Sequence, residues 1–165
     1  LQDKWRIAQV FTGAGVAIMH GAQDGQKFLS ISMLGIMLAL GSMDTSQVVF
    51  PLWLIILCAL AMGLGTAIGG KKIIKSVGMD MVKMEPYQGF SASTTTFSCL
   101  VLATFTGLPV STTHTATTAI MGVGASRRIR AVRWSMAGNM VLTWVLTFPG
   151  CGLIGFVLAK LFLLF

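Results

Sequence analysis

The sequence predicts an all-α polytopic membrane protein, and its composition and apolar runs carry that prediction. Of its 165 residues, 55% are hydrophobic and only 10% are charged, with a mean hydropathy of +0.81. A soluble domain carries about a quarter charged residues. Several apolar runs approach the roughly 20 residues that a membrane-spanning helix needs. The net charge of +7 does not indicate nucleic-acid binding, because the basic residues lie in short loops between the apolar runs.

The apolar and basic segments predict one transmembrane repeat over residues 1–165. The two most basic loops should both be cytoplasmic, because lysine and arginine accumulate on that side. The loop around Lys71–Glu85 could lie on the membrane surface or form a solvated extension of a helix. The predicted segments are a broken helix (8–41), a spanning helix (50–70), a basic cytoplasmic segment (71–86), a re-entrant hairpin (88–124), a basic cytoplasmic loop (125–134) and a spanning helix kinked at Pro149 (135–165).

The first helix carries the polar stretch HGAQDGQK, His20–Lys27, in the middle of a long apolar run. The run is too long for one upright span. We therefore expect a discontinuous helix that is broken at Gly21–Gly25. Asp24 and Lys27 would then be ionisable groups at membrane depth, where such groups are costly and usually functional.

The second polar interruption is GLPVSTTH, Gly107–His114, which separates two apolar arms. Pro109 suits the turn before a helix, and a hydroxyl residue after it would cap that helix. Such a helix start offers N–H groups and the positive end of the helix dipole, which together favour an anion. An ordinary helix start in a loop would have the same sequence. The arms could be two complete spans, but the polar tip and the short second arm favour a re-entrant hairpin.

Two broken elements in one membrane chain indicate a transporter, because transporter sites are often built from discontinuous helices. The chain also resembles a known family. The motifs HGAQDGQK, GGKKIIKSVG, EPYQGFSA, GLPVSTTH and MGVG, in this order, are similar to those of the inorganic phosphate transporter (PiT) family. The resemblance implies secondary active transport, or symport, of inorganic phosphate by a protein of two inverted repeats. This chain resembles the C-terminal repeat, and so one half of an inverted-repeat transporter.

The resemblance also implies roles for individual residues. It implies that the hydroxyl side chains of the hairpin tip and one amide side chain bind phosphate. It also implies that the turn around Asp24 binds the coupling cation. The implied phosphate-binding residues are Ser111, Thr112, Thr113 and Gln26, and the implied coupling residues are Asp24, Gln23 and Lys27.

The chain departs from the common family pattern at Gln23 and Lys27, where asparagine is usual. An ammonium group at a sodium-ligand position would repel sodium and could itself neutralise Asp24 or phosphate. A GQK turn resembles the bacterial low-affinity Pit branch, which is described as proton-coupled and able to carry phosphate as a neutral divalent-metal complex. The coupling ion is therefore a proton or sodium, with the proton favoured, and we expect no cofactor and no resident metal.

The remaining expectations concern partners, location and alternatives. One repeat leaves half of the site unbuilt, so a complementary N-terminal repeat is expected from the same gene or a separate chain. The complete transporter is expected to form a homo-oligomer and to be a multi-pass protein of the cell (plasma or inner) membrane.

The alternative function is a membrane channel or assembly subunit that shares the scaffold but does not couple transport to an ion gradient. An enzyme with Ser111 as nucleophile and His114 as base is disfavoured, because no acid near His114 would orient it.

Overall fold

The computed structural model describes residues 2–41 and 49–163, apart from the side chains of Lys72 and Ser76, and α-helices make up most of this part of the chain. Strand pairing there is limited to one isolated bridge between Val82 and Val132. The fold class predicted from the sequence is confirmed at this level. The helices are α1 (Gln2–Ala39), α2 (Leu52–Ile73), α3 (Pro86–Thr106), α4 (Thr112–Arg127) and α5 (Trp134–Phe162), with a π-helical turn at Ile74–Asp80 and a 3₁₀ turn at Ile129–Ala131.

Helix α1 runs without interruption through the polar stretch, so the break predicted at Gly21–Gly25 is wrong. The reason is that this stretch has no proline, and its ionisable side chains find partners without opening the backbone. Lys27 lies three residues and His20 four residues from Asp24, so both reach it along one face of an intact helix. At 1.5 Å per residue the helix is about 57 Å long, nearly twice the hydrocarbon thickness of a bilayer.

Helices α3 and α4 form the predicted hairpin, with a tip at residues 107–111. The first arm begins with a capping box between Glu85 and Gln88, and Pro86 occupies the first turn. It ends at Gly107, whose φ of 69° lies in the left-handed region that glycine adopts readily. Ser111 caps the second arm by accepting a hydrogen bond from the backbone N–H of His114. That the hairpin is re-entrant stays a prediction.

Helix α3 packs along α1 and so places the hairpin against the polar stretch. One face of α3 is buried at helical spacing, with Ala92, Thr96, Leu100 and Ala103. Near the start of both helices, the rings of Trp5 and Phe90 lie 5.4 Å apart. Close packing also depends on glycine, because a Cβ at Gly15 would lie 3.0 Å from the Phe97 ring.

The two basic loops contact each other, as loops on the same side of a membrane can. The Arg133 N–H donates to the Met81 carbonyl at 3.1 Å, and Arg127 pairs with Glu85 at 3.2 Å. This contact is compatible with the predicted common side, and the cytoplasmic assignment stays a prediction. The loops share an apolar cluster of Val77, Met81, Val82 and Val132, which we call the loop cluster.

Within the described ranges, two helices are long and apolar enough to cross a membrane. They are Leu52–Lys71, with a mean hydropathy of 2.2, and Trp134–Phe162, with a mean hydropathy of 2.0. Helix α5 continues through Pro149, and the kink predicted there stays a prediction. Both helices leave most of their large apolar side chains exposed, as lipid-facing helices do.

The loop cluster generates a prediction for Gly124, which is buried in α4 beneath it. A Cβ at this position would lie 2.9 Å from Val82 and 3.1 Å from Val132. We expect Gly124→Ala to destabilise the complete transporter by about 1–3 kcal/mol, because it overpacks this contact. Gly122→Ala is the matched control, since nothing lies within 4 Å of its Cβ. Thermal unfolding in detergent measures both, and equal melting temperatures for the two variants would contradict the assigned packing.

Candidate functional site

Asp24 lies at the centre of a polar cluster between α1 and the start of α4. Its Oδ1 atom accepts from Lys27 Nζ at 2.9 Å, and its Oδ2 atom accepts from the Thr112 hydroxyl at 2.9 Å. His20 Nδ1 lies 3.2 Å from the same Oδ2 atom. Only 20% of the Asp24 side chain is exposed. The carboxylate is therefore held by one cation, one hydroxyl and one imidazole, and we call these four residues the Asp24 cluster.

The hydrogen bonds of Thr112 define how His20 is oriented. The His20 Nδ1 atom lies 2.8 Å from the Thr112 oxygen. Because Thr112 donates its single hydroxyl hydrogen to Asp24, its oxygen accepts from His20, which assigns the Nδ1–H tautomer to a neutral ring. The Nε2 atom of that tautomer keeps a lone pair and can accept a proton.

Lys27 joins the cluster to the hairpin tip. Besides Asp24, its ammonium group donates to the backbone carbonyl of Val110 at 2.7 Å. The tip exposes this carbonyl because residues 107–111 are not helical. The Lys27 and Asp24 charges balance each other, which reduces the cost of holding both groups partly buried.

The start of α4 has the components of an anion site. The N–H groups of the first helical turn have no intrahelical carbonyl partner, and the dipole there is positive. Ser111 and Thr113 are exposed at this end, whereas Thr112 is 6% exposed and its hydroxyl is used by Asp24 and His20. The Ser111 and Thr113 hydroxyls are therefore on the exposed side of the helix start, and the Thr112 hydroxyl faces α1.

The two glutamines of the polar stretch have different surroundings. Gln23 is 5% exposed and donates to the Thr104 hydroxyl at 2.8 Å, so it ties α1 to α3. Gln26 is exposed and lines a cavity of about 360 Å³ beside the tip, together with Lys27 and Pro109. Of the seven site residues implied by the resemblance, the structure therefore places Asp24, Lys27 and Thr112 in direct contact. It leaves Ser111, Thr113, Gln23 and Gln26 around them.

The contacts of His20, Thr104 and the Val110 carbonyl were not predicted from the sequence. The only available signal for His20 was its position four residues before Asp24, which places both on one helix face. Within the part of the chain that the structure describes, the His114 imidazole is not paired with an acidic side chain. Its ring lies 4.0 Å from that of Trp144, and its backbone N–H, rather than its imidazole, contacts the Ser111 hydroxyl.

The profile of the phosphate transporter family matches residues 1–155. A probable low-affinity inorganic phosphate transporter of Rhizobium meliloti (strain 1021) is 42% identical over 154 residues, which cover 93% of this chain and 46% of that protein. The protein of the same description from Bacillus subtilis (strain 168) is 44% identical over 146 residues, covering 88% and 43%.

A solved structure agrees with the fold. It is described as the sodium-dependent phosphate transporter, and it superposes with a TM-score of 0.78 at 28% identity, covering 90% of this chain and 37% of that one. The chain thus spans about half the length of the curated relatives it matches. These relatives are transporters and not enzymes. The matched profile, the identities and the shared helical architecture together establish that this chain is a membrane protein of the phosphate transporter family.

Proposed function

We propose that this chain is one half of a multi-pass transporter that carries inorganic phosphate across the cell membrane by cation-coupled symport. The observation that carries the proposal is the Asp24 cluster. It brings a carboxylate and its tethered cation to the tip of a hairpin whose second helix starts as an anion site. Transporter sites often hold a substrate and a coupling ion together at helix ends, and the start of α4 beside Asp24 is such an end.

Phosphate is assigned to the exposed start of α4. The Ser111 and Thr113 hydroxyls and the first N–H groups of the helix can donate to phosphate oxygens, which is the usual chemistry of phosphate at a helix N-terminus. Gln26 can add an amide donor from the adjoining cavity. Thr112 takes a different role, because its hydroxyl joins the phosphate-binding turn to Asp24.

A complementary repeat completes the site in this proposal. The chain covers 46% and 43% of two relatives, so a comparable length of protein is available to face the open side of the Asp24 cluster. That repeat is fused in the same gene or supplied as a second chain. The complete transporter is proposed to assemble as a homo-oligomer.

Protons are the proposed coupling ion. Lys27 already occupies the place beside Asp24 Oδ1 that a sodium ion would need, and Thr112 and His20 occupy the side of Oδ2. A like charge a few ångströms from bound sodium would weaken its binding. Sodium is the second candidate, because the similar solved structure is described as sodium-dependent.

A neutral divalent-metal phosphate complex is the proposed form of the substrate. The Asp24 and Lys27 charges compensate each other, so the cluster offers no net positive charge to a bare phosphate dianion. Bringing an uncompensated dianion into a partly buried site is expensive, whereas a complex of one divalent cation with hydrogen phosphate has no net charge.

The phosphate site is tested with Thr113→Val, which keeps the side-chain shape and removes one donor. We expect the phosphate KM of the complete transporter to rise about tenfold or more, because a hydrogen bond to a charged group contributes roughly 1.5–3 kcal/mol. Thr118→Val is the control, since that hydroxyl donates to its own helix at the His114 carbonyl. The measurement is uptake of labelled phosphate into proteoliposomes. An unchanged KM would remove Thr113 from the site, and a non-saturable flux indifferent to gradients would favour the channel alternative.

The coupling ion is tested with Lys27→Asn, which replaces the tethered cation with a neutral oxygen ligand. We expect uptake to lose its dependence on a proton gradient and to gain dependence on sodium, because the space beside Asp24 Oδ1 becomes available to a hydrated or bound cation. Lys160→Asn, at the far end of α5, is the control for loss of a lysine. If the variant responds to both gradients as the parent protein does, Lys27 is not part of the coupling path.

The substrate form is tested by following two labels at once. We expect labelled calcium and labelled phosphate to enter in a ratio of about one to one, since charge compensation favours a neutral complex. Chelation of divalent cations should then abolish phosphate uptake at otherwise saturating phosphate. Phosphate entry that persists after chelation would show that free phosphate is the transported species.

A further inference from the structure

Trp144 lies at an unusual depth for a tryptophan of a membrane helix. Helix α5 is long and apolar enough to cross a membrane, and it begins at Trp134. Trp144 is ten residues further on, or about 15 Å along the axis, which is about half of the hydrocarbon thickness of a bilayer. Tryptophan is enriched at the two membrane interfaces, where its amphipathic ring reaches the headgroups. Trp144 is too deep for that role, so its presence in α5 requires another explanation.

The ring of Trp144 is the point at which the middle of α5 contacts the hairpin. From Val141 to Phe162, a stretch that the structure describes throughout, every residue of α5 except Trp144 is exposed. The Trp144 ring centroid lies 4.0 Å from that of His114, and the two ring planes meet at 36°. Contacts between aromatic rings are favourable and depend on ring geometry. This contact therefore restricts the orientation of the His114 side chain.

His114 connects the stacked rings to the cap of α4. Its backbone N–H donates to the Ser111 Oγ atom at 3.4 Å. This hydrogen bond is longer than the usual range of about 2.7–3.2 Å, so a small displacement of His114 would break it. A hydroxyl oxygen that accepts one hydrogen bond still has its own hydrogen to donate. Ser111 is exposed, so that hydrogen is available to an anion at the start of α4.

The first turn of α4 is held on two nearly opposite faces. Thr112 faces α1, where its hydroxyl donates to Asp24 at 2.9 Å. His114 follows two residues later, which corresponds to a rotation of about 200° around the helix axis, and it contacts α5. Ser111 and Thr113 remain exposed beside these two contacts. The direction in which the proposed phosphate-binding hydroxyls point is therefore set by α1 on one side and by α5 on the other.

We propose that Trp144 is a positioning residue of the phosphate site, whose ring holds His114 so that the Ser111 hydroxyl is directed at bound phosphate. The inference rests on the phosphate-binding role proposed above for Ser111 and Thr113. Trp144 acts through His114 and does not itself bind phosphate. Loss of its ring releases the α5 side of the turn, while Thr112 still joins the turn to Asp24. The effect therefore falls on phosphate affinity and not on the maximal rate of transport.

The experiment measures uptake of labelled phosphate by the complete transporter in proteoliposomes. We expect Trp144→Leu to raise the phosphate KM about threefold to tenfold, as loss of one aromatic pair predicts, with little change in the maximal rate. Trp144→Phe keeps a ring in place and should keep the KM close to that of the parent. Trp53→Leu is the matched control for loss of a tryptophan, since the Trp53 side chain in α2 is 60% exposed.

A double-mutant cycle tests whether Trp144 acts through His114. His114→Leu alone should raise the KM by a similar factor, because it removes the same ring contact. Addition of Trp144→Leu to His114→Leu should then change the KM little, whereas its addition to Thr113→Val should multiply the two effects. Full multiplication of the effects of Trp144→Leu and His114→Leu would overturn the proposal.

The remaining outcomes separate the positioning role from general packing and from the proposed function. A Trp144→Leu variant with a lower melting temperature and a lower maximal rate but an unchanged KM would show a packing role only and overturn the proposal. A Trp144→Phe variant with the KM of Trp144→Leu would overturn it as well. If Thr113→Val raises the KM and Trp144→Leu does not, the positioning role fails and the phosphate site stands. Absence of phosphate uptake by the parent protein would overturn both.

Discussion

The contact between Lys27, Asp24 and the Val110 carbonyl is the interaction on which the arrangement of the site depends. It joins a long helix to the tip of a hairpin more than eighty residues later in the chain. Without the ammonium group, the carboxylate of Asp24 would face the start of α4 unbalanced, close to where an anion is proposed to bind. A partly buried carboxylate needs a metal, a proton or a cationic partner, and here the chain supplies the partner itself.

The pairing of Asp24 with side chains of its own helix explains why α1 is continuous. A carboxylate at membrane depth can be satisfied by backbone groups of an opened helix, or by side chains spaced along an intact one. His20 and Lys27 satisfy Asp24 in the second way, and the backbone keeps its own hydrogen bonds. The same spacing leaves Gln23 on a neighbouring face, where it contacts α3 instead of the cluster.

Much of the fold could be predicted from local signals, and the errors have physical causes. Pro109 and the hydroxyls after it marked the hairpin tip, and the start of α4 at Thr112 follows from the Ser111 cap. The polar stretch of α1 was misinterpreted because glycines among polar residues are typical of a broken helix, although each glycine there tolerates helical geometry. The contact of His20 with Thr112 could not be predicted, since it depends on how two elements 92 residues apart are packed.

The two ends of the hairpin are held very differently. Its base is fixed by the loop cluster and by the pair of Arg127 with Glu85. Its tip is joined to α1 by polar contacts such as that of Lys27 with the Val110 carbonyl, at 2.7 Å. Helix α4 has 16 residues, which corresponds to about 24 Å, so a rotation of about 5° at the base moves the tip by about 2 Å. That displacement exceeds the tolerance of a hydrogen bond. A rotation of that size about the base would therefore break the hydrogen bonds that join the start of α4 to the Asp24 cluster.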